Sequence, residues 1–209
     1  ISRKIFIDLK IKKFRYFPPY IKKKKIYLKK IRKKNLKIVS VGNINKVKNH
    51  MFAIKCLTNY SNNFNYEIVG SKINTQIQLF NKIKKLIKDR NLRNKVKLLG
   101  FKKQKEVEKI LLKNDIFLLP STTEGCPVSL LEALSLGKVC ICSKVGDIPM
   151  IIKNNVNGFL IDLNEESLLK ILTKIENMNS FEIKKIQKEA IKTIKKKFSN
   201  KKIYEHIFN

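Results

Sequence analysis

From Leu36 to Asp162 the chain alternates short β-branched runs with longer stretches whose apolar residues recur every three or four positions. LKIVSVG (36–42), YEIVG (66–70), KVKLLGF (95–101), DIFLLPS (115–121), VCICS (139–143) and GFLID (158–162) have the length and residue types of buried strands. Between them KNHMFAIKCLTNY (48–60), INTQIQLFNKIKKLIKDRN (73–91), QKEVEKILLKN (104–114), VSLLEALSLG (128–137) and GDIPMIIKN (146–154) carry helical spacing. Gly137 supplies the stop for the fourth of these helices. Strands separated by helices cannot close into hairpins, so they pair in parallel through right-handed crossovers. The pattern therefore predicts an α/β fold, a Rossmann-like doubly wound parallel sheet.

Beyond Asp162 the period is helical throughout: ESLLKILTKIENM (166–178), SFEIKKIQKEAIKTIKKKFS (180–199) and KKIYEHIF (201–208). Before Leu36 the chain is dense in lysine and broken at Pro18 and Pro19, with too few alternating elements for a domain. The expected organisation is a basic N-terminal segment at 1–35, a sheet domain at 36–180 and C-terminal helices at 181–209.

Composition narrows the function classes. The 209 residues, 43% hydrophobic, suffice for one full core, and no apolar run approaches the length of a membrane span. Ile1 stands where Met is expected and no secretory leader pattern follows, so a truncated, cytoplasmic protein is expected. The net charge of +31 would attract nucleic acid, an anionic membrane face or phosphorylated substrates. A coding sequence rich in A and T produces the same excess of Lys, Ile and Asn, so function has to be argued from a site. Cys140 and Cys142 share one face of the VCICS strand, and no His lies close to a Cys pair in sequence; core packing and free thiols are expected rather than a metal site.

In open α/β sheets ligands sit at the carboxyl ends of the strands. No G-x-G-x-x-G, no P-loop and no Asp-x-Asp occurs there, which argues against dinucleotide, P-loop and metal-clamping nucleotide-sugar sites. GNINKVKNH (42–50) follows the first strand and places Lys48 near a helix start, able to offer an ammonium to a phosphate. After the fourth strand comes EGCPVSLLEALSLG (124–137). Glu124 and Gly125 form the turn, Pro127 suits the first helical position, and the amides of Val128, Ser129 and Leu130 are unpaired helix-start donors, an anion seat. Glu132 lies about five residues past Pro127, roughly 7.5 Å along the helix. There its carboxylate could accept from vicinal hydroxyls, and Glu124 would face whatever lies beyond the phosphates. On spacing alone Glu132 reads equally as a solvated helix residue and Glu124 as a turn residue.

The stretch from Glu124 to Glu132 resembles the E-x7-E signature of the family 4 (group 1) retaining glycosyltransferases of the GT-B fold. VGNINKVKNH, YEIVGS, KVKLLGF and DIFLLPSTTEGCPVSLLEALSLGKVCICSKVGDIPMIIKNNVNGFLID are similar to that family's successive strand and loop segments, and KKFSNKKIYEHIF to its closing helix. The resemblance runs from Leu36 to Phe208 and implies the C-terminal, donor-binding half of a GT-B fold. It implies catalytic roles for Lys48, on the diphosphate, and Glu124, on the donor sugar. It also implies substrate contacts from Glu132, on the ribose, and from Gly42, Asn43, Gly125, Cys126, Pro127, Val128, Ser129 and Leu130. A UDP-sugar or GDP-sugar would be the donor, a glycan or lipid-linked molecule the acceptor, and no metal or cofactor would take part.

The same resemblance casts residues 1–35 as the remnant of an acceptor-binding domain and 181–209 as helices packing back toward it, so the chain alone would lack the acceptor site. Asn43 stands where an arginine is common, Met150 where a glutamate is, and Asp147 replaces a frequent glycine. Asp147 could touch the donor or cap a helix. Two other readings remain at this level: a basic nucleic-acid-binding protein, which lacks any recognisable binding module, and a GT-B epimerase or phosphorylase. Peripheral attachment to an anionic cytoplasmic membrane face is compatible with the lysines, and no specific nucleic-acid partner is expected.

Overall fold

The computed structural model describes residues 34–198 together with Ile21, Leu28, Lys30 and Ile31. Six strands, β1 (Asn35–Val41), β2 (Asn63–Val69), β3 (Val96–Gly100), β4 (Ile116–Leu119), β5 (Val139–Ser143) and β6 (Phe159–Ile161), form one sheet in the order β3-β2-β1-β4-β5-β6. Every pairing is parallel. The helices are α1 (His50–Thr58), α2 (Ile77–Asp89), α3 (Gln104–Lys113), α4 (Val128–Ser135), α5 (Ile148–Ile151), α6 (Glu165–Asn177) and α7 (Ser180–Lys197). The expected doubly wound α/β fold is the observed one. The N-terminal segment apart from those few residues, and the helix expected at 201–208, lie outside the described residues.

Period-two geometry splits the core into two layers. In β4 all four residues are buried; Ile116 and Leu118 face one layer, Phe117 and Leu119 the other. The first layer receives Ala53, Ile54 and Leu57 of α1, Ile83 and Ile87 of α2, and Leu168, Leu172 and Ile175 of α6. The second receives Val107 and Leu111 of α3, Leu130 and Leu134 of α4, and Ile148 and Ile151 of α5, together with Cys140 and Cys142. The two thiols are therefore core residues, and burial raises both above the ordinary thiol range.

Two boundaries differ from the periodicity for identifiable reasons. β2 begins at Asn63 rather than Tyr66, because Asn63 and Asn65 pair in register with Asn35 and Lys37 and the Asn65 amide donates to Asn35 Oδ1 at 2.9 Å. A hydrophobic pattern does not register a strand start held by amides. α1 begins at His50 rather than Lys48, because Asn49 adopts a left-handed conformation, φ 53°, that no helix continues through.

One polar bond sits inside the first layer. Tyr66 and Ser40, both fully buried, approach to 2.7 Å through their hydroxyls, and Ser40 Oγ donates to the Leu118 carbonyl at 2.5 Å. Ser40 thus accepts from Tyr66, and the pair ties β2, β1 and β4 together at mid-strand. Removing the phenol leaves Ser40 with its carbonyl partner, so Tyr66→Phe should cost only about 1 kcal/mol. Thermal unfolding should show a fall in Tm of roughly 2–4 °C. A fall beyond 10 °C would mean that the hydroxyl holds more of the sheet than this pair.

Candidate functional site

In the observed strand order β1 lies between β2 and β4, so the connections leaving β1 and β4 diverge and open a crevice at their carboxyl ends. Residues 42–49 and 120–127 form its walls. Backbone bonds fix both: Gly42 N–H donates to Val69 O at 2.8 Å, and Thr122 N–H donates to Val47 O at 2.8 Å. At Gly70 a Cβ would come within 2.0 Å of the Gly42 carbonyl oxygen, so a side chain there would push the first wall outward. The Asn45 side chain accepts from the Lys48 amide at 2.8 Å and folds the loop back. The stem of Lys48 then lies over Gly42, where a Cβ would meet its Cε at 2.9 Å.

Lys48 and Glu124 meet across the crevice. Lys48 Nζ donates to Glu124 Oε1 at 2.6 Å, and the two side chains are 20% and 9% exposed. Ser121 Oγ donates to the same carboxylate oxygen at 2.6 Å. Ser121 is fully buried, and its own carbonyl accepts from Ser143 Oγ at 2.5 Å at the end of β5. The β5–α5 loop approaches from the other side: a Cβ on Gly146, φ 53°, would lie 1.6 Å from the Glu124 carbonyl oxygen. Only glycine permits both that conformation and that approach. Neither Ser121 nor Gly146 stands out in the sequence, because a buried hydroxyl and a close backbone approach leave no periodic trace.

The start of α4 differs in two respects from its sequence reading. Pro127, with ψ 109°, precedes the helix as its cap residue, and Val128 takes the first helical position. The Leu130 amide donates to the Pro127 carbonyl at 3.1 Å, so it is not an open donor. The amides of Val128 and Ser129 remain without a partner among the described residues, so the anion seat keeps two of its three expected donors and stays at the crevice. Gly125 has open space around its Cα, and Cys126 is half-buried against the second core layer.

Glu132 is half-buried on α4, and its Oε1 accepts from Nε2 of Gln104, the first residue of α3. It is therefore not a freely solvated helix residue; Gln104, which the sequence reading missed, holds it toward the β3–α3 loop. Asn43, at the position where an arginine was expected, accepts from the Ser71 amide at 3.2 Å and ties the β1 and β2 loops together. Asp147 occupies the position before α5 and is 1% exposed, but its side chain does not cap the helix. Among the described residues no group of three or more His, Cys, Asp or Glu gathers as metal ligands.

Residues 22–197 match the family described as glycosyl transferases group 1. The chain belongs to this family. Among curated relatives of this group 1 domain, the amylovoran biosynthesis glycosyltransferase AmsK of Erwinia amylovora is 35% identical over 150 residues, covering 67% of this chain and 36% of AmsK. The UDP-Gal:alpha-D-GlcNAc-diphosphoundecaprenol alpha-1,3-galactosyltransferase of Escherichia coli is 39% identical over 88 residues, 42% of this chain and 22% of that enzyme. The chain thus spans well under half the length of these relatives. Among solved structures, Anabaena Alr3699/HepE in complex with UDP and glucose has a TM-score of 0.76 at 20% identity, over 83% of this chain and 48% of that one.

One titratable group of the group 1 domain lies directly behind the lysine loop. His50, 1% exposed, opens α1; its Nε2 lies 3.3 Å from the Gly42 carbonyl, and Nδ1 is buried without a partner. Burial, reinforced by the Lys48 charge, lowers its pKa from 6.5 to about 4, so the imidazole is neutral at pH 7. Between about pH 6.5 and 4 the unfolded chain binds a proton that the folded one refuses, so stability present above 6.5 is lost as pH falls. The loss should approach about 3 kcal/mol below pH 4. In His50→Gln the difference in unfolding free energy between pH 7 and pH 4.5 should shrink by most of that amount, measured by denaturant titration. An unchanged difference would place the acid sensitivity elsewhere.

Proposed function

We propose that this chain is the donor-binding half of a family 4 glycosyltransferase that transfers a hexose from a nucleotide diphosphate sugar with retention of configuration and without a metal. The observation that carries the proposal is the meeting of Lys48 and Glu124, 76 residues apart in sequence, at 2.6 Å in the crevice where β1 and β4 diverge. An ammonium and two open amides, those of Val128 and Ser129, supply donors for a diphosphate, and two carboxylates, Glu124 and Glu132, supply acceptors for hydroxyls. Charge grows on the leaving phosphate as the sugar C1–O bond breaks and its electron pair stays with the nucleoside diphosphate. Preoriented cationic and amide donors lower that barrier.

In this reading the acceptor hydroxyl attacks C1 from the face the diphosphate leaves, and its proton passes to the departing phosphate oxygen. Glu124 then orients the sugar and makes no covalent bond, in keeping with an oxygen already committed to Lys48 and Ser121. The E. coli relative takes UDP-Gal and a diphosphoundecaprenol-linked acceptor, and HepE was crystallised with UDP and glucose; both favour UDP over GDP, and the first favours a glycan or lipid-linked acceptor. Residues 1–35 would lead in from an acceptor-binding domain.

Calorimetric titration tests the donor half directly. UDP should bind, Lys48→Ala should weaken it by tenfold or more, and Glu132→Ala by about tenfold through loss of the ribose contact. Chelating divalent ions should leave affinity unchanged. Failure of the folded chain to bind UDP or GDP, or binding of random DNA tighter than either, would sink the reading.

A peripheral site on the cytoplasmic membrane face is the second part of the proposal. Lys188, Lys192, Lys195 and Lys196 of α7 wall a groove of about 580 Å³ floored by Leu28 and Ile191. Lys192 also pairs with Glu189 at 3.3 Å, which leaves a clear cationic excess. Lys197 donates to the Met150 carbonyl at 3.2 Å, so this end of α7 stands beside α5, next to the crevice edge. Apolar floor and cationic walls suit the acyl shoulder and phosphate of an anionic phospholipid. No helix among the described residues is long and apolar enough to cross a membrane. In vesicle co-sedimentation, Lys188→Glu/Lys195→Glu/Lys196→Glu should lose at least tenfold of binding to phosphatidylglycerol vesicles. The same reversal at Lys84, Lys85 and Lys88 on α2, against the opposite sheet face, should lose far less. Equal losses would reduce the effect to bulk charge.

A further inference from the structure

We infer that Ser121 is a positioning residue that divides the two oxygens of Glu124 between structure and substrate. Both donors that reach this carboxylate, Ser121 Oγ and Lys48 Nζ, converge on Oε1 at 2.6 Å each. Oε2 receives no donor from the described residues, and it is absent from the polar atoms sealed from solvent without a partner. Oε1 is thus the anchored oxygen and Oε2 the one offered to the crevice.

The two anchors are not equivalent. Lys48 is 20% exposed at the end of a flexible stem, and its ammonium is drawn to any diphosphate that enters. Ser121 is fully buried, and its backbone is fixed from three directions. It lies two residues past the end of β4, its carbonyl accepts from Ser143 Oγ, and the next residue, Thr122, donates its amide to Val47 O. When the ammonium turns toward phosphate, the hydroxyl keeps Oε1 in place, and Oε2 stays aimed at a sugar hydroxyl instead of following the charge. A carboxylate held only by Lys48 would compete with the diphosphate for its own partner. The rigid bond therefore uncouples the sugar contact from the phosphate contact.

This inference rests on the donor-binding reading, and it is tested by the gain in affinity that the sugar brings. Kd values for UDP and for UDP-glucose, UDP-galactose and UDP-N-acetylglucosamine are measured by calorimetry, and the sugar that binds most tightly is carried forward. Ser121→Ala should leave the Kd of UDP within twofold of wild type and remove about tenfold of the additional affinity for the UDP-sugar. In a Glu124→Ala background the same substitution should change nothing further, because a residue that acts through the Glu124 side chain has no effect once that side chain is gone. Ser121→Thr, which keeps the hydroxyl, should recover part of the gain.

Three results would overturn the inference while leaving the donor-binding reading intact. One is a Ser121→Ala protein that keeps the full sugar gain, and another is one that loses UDP and UDP-sugar affinity by the same factor. The third is an effect of equal size in the Glu124→Ala background. UDP affinity doubles as the check that each variant has folded. A wild-type chain that binds no UDP-sugar more tightly than UDP overturns the assignment of Glu124 to a sugar, and Ser121's role with it.

Discussion

Everything at the crevice depends on where β1 sits. With β2 on one side and β4 on the other, the chain leaves β1 toward one face of the sheet and β4 toward the other, and no crossover covers the gap between them. That gap receives the ends of two loops, and glycines let their backbones close on it. Gly70 yields to the Gly42 carbonyl, Gly42 to the stem of Lys48, and Gly146 to the carbonyl of Glu124. Each is a place where one methyl group would move a wall. The site is thus assembled by backbone proximity first, and the charged side chains occupy positions that proximity has already set.

Electrostatics then decides which charges can stay there. Glu124 is nearly buried, and a carboxylate in that position requires compensation. Lys48 supplies it, with Ser121 adding a neutral donor. His50, immediately behind the lysine loop, solves the same problem differently: its burial favours the neutral form, so the imidazole adds no second positive charge beside Lys48 at neutral pH. The outcome is a crevice whose Lys48–Glu124 ion pair can be opened by a ligand carrying both signs of complementarity, phosphate oxygens for the ammonium and hydroxyls for the carboxylate.

The sequence revealed the sheet because its signals are local and redundant. Six apolar runs, each bounded by turn residues and separated by helical spacing, leave parallel pairing as the consistent outcome, and the starts of β2 and of α1 shift where asparagine amides or a left-handed Asn49 replace hydrophobicity as the determinant. The pairing of Lys48 with Glu124 was accessible only as a consequence of topology, since both lie after strands that the fold makes neighbours. Ser121, Gln104 and Gly146 were not legible. Their roles depend on distances across the sheet edge, and a serine after a Pro or a glycine before an Asp has many ordinary explanations. The open amide at Leu130 was misjudged because a helix beginning with a tight turn satisfies one more donor than an ideal helix would.

Lysine shows why charge has to be read through burial. The +31 total says little, yet four lysines in this fold show three different kinds of behaviour. Lys138 is 4% exposed and donates to the Asn114 carbonyl at 2.8 Å and to the Leu112 carbonyl at 3.4 Å, closing the end of α3 where helix carbonyls lack partners. Lys48 lays its stem over Gly42 and pairs its part-exposed ammonium with an acid, which keeps the charge at the crevice yet leaves the ammonium able to turn toward a ligand. Lys195 and Lys196 are exposed and act as part of a field. Codon bias can multiply lysines of the third kind without limit, because a solvated ammonium costs the fold almost nothing. It cannot place the first two kinds, since a buried ammonium survives only where carbonyls or a carboxylate already converge on it.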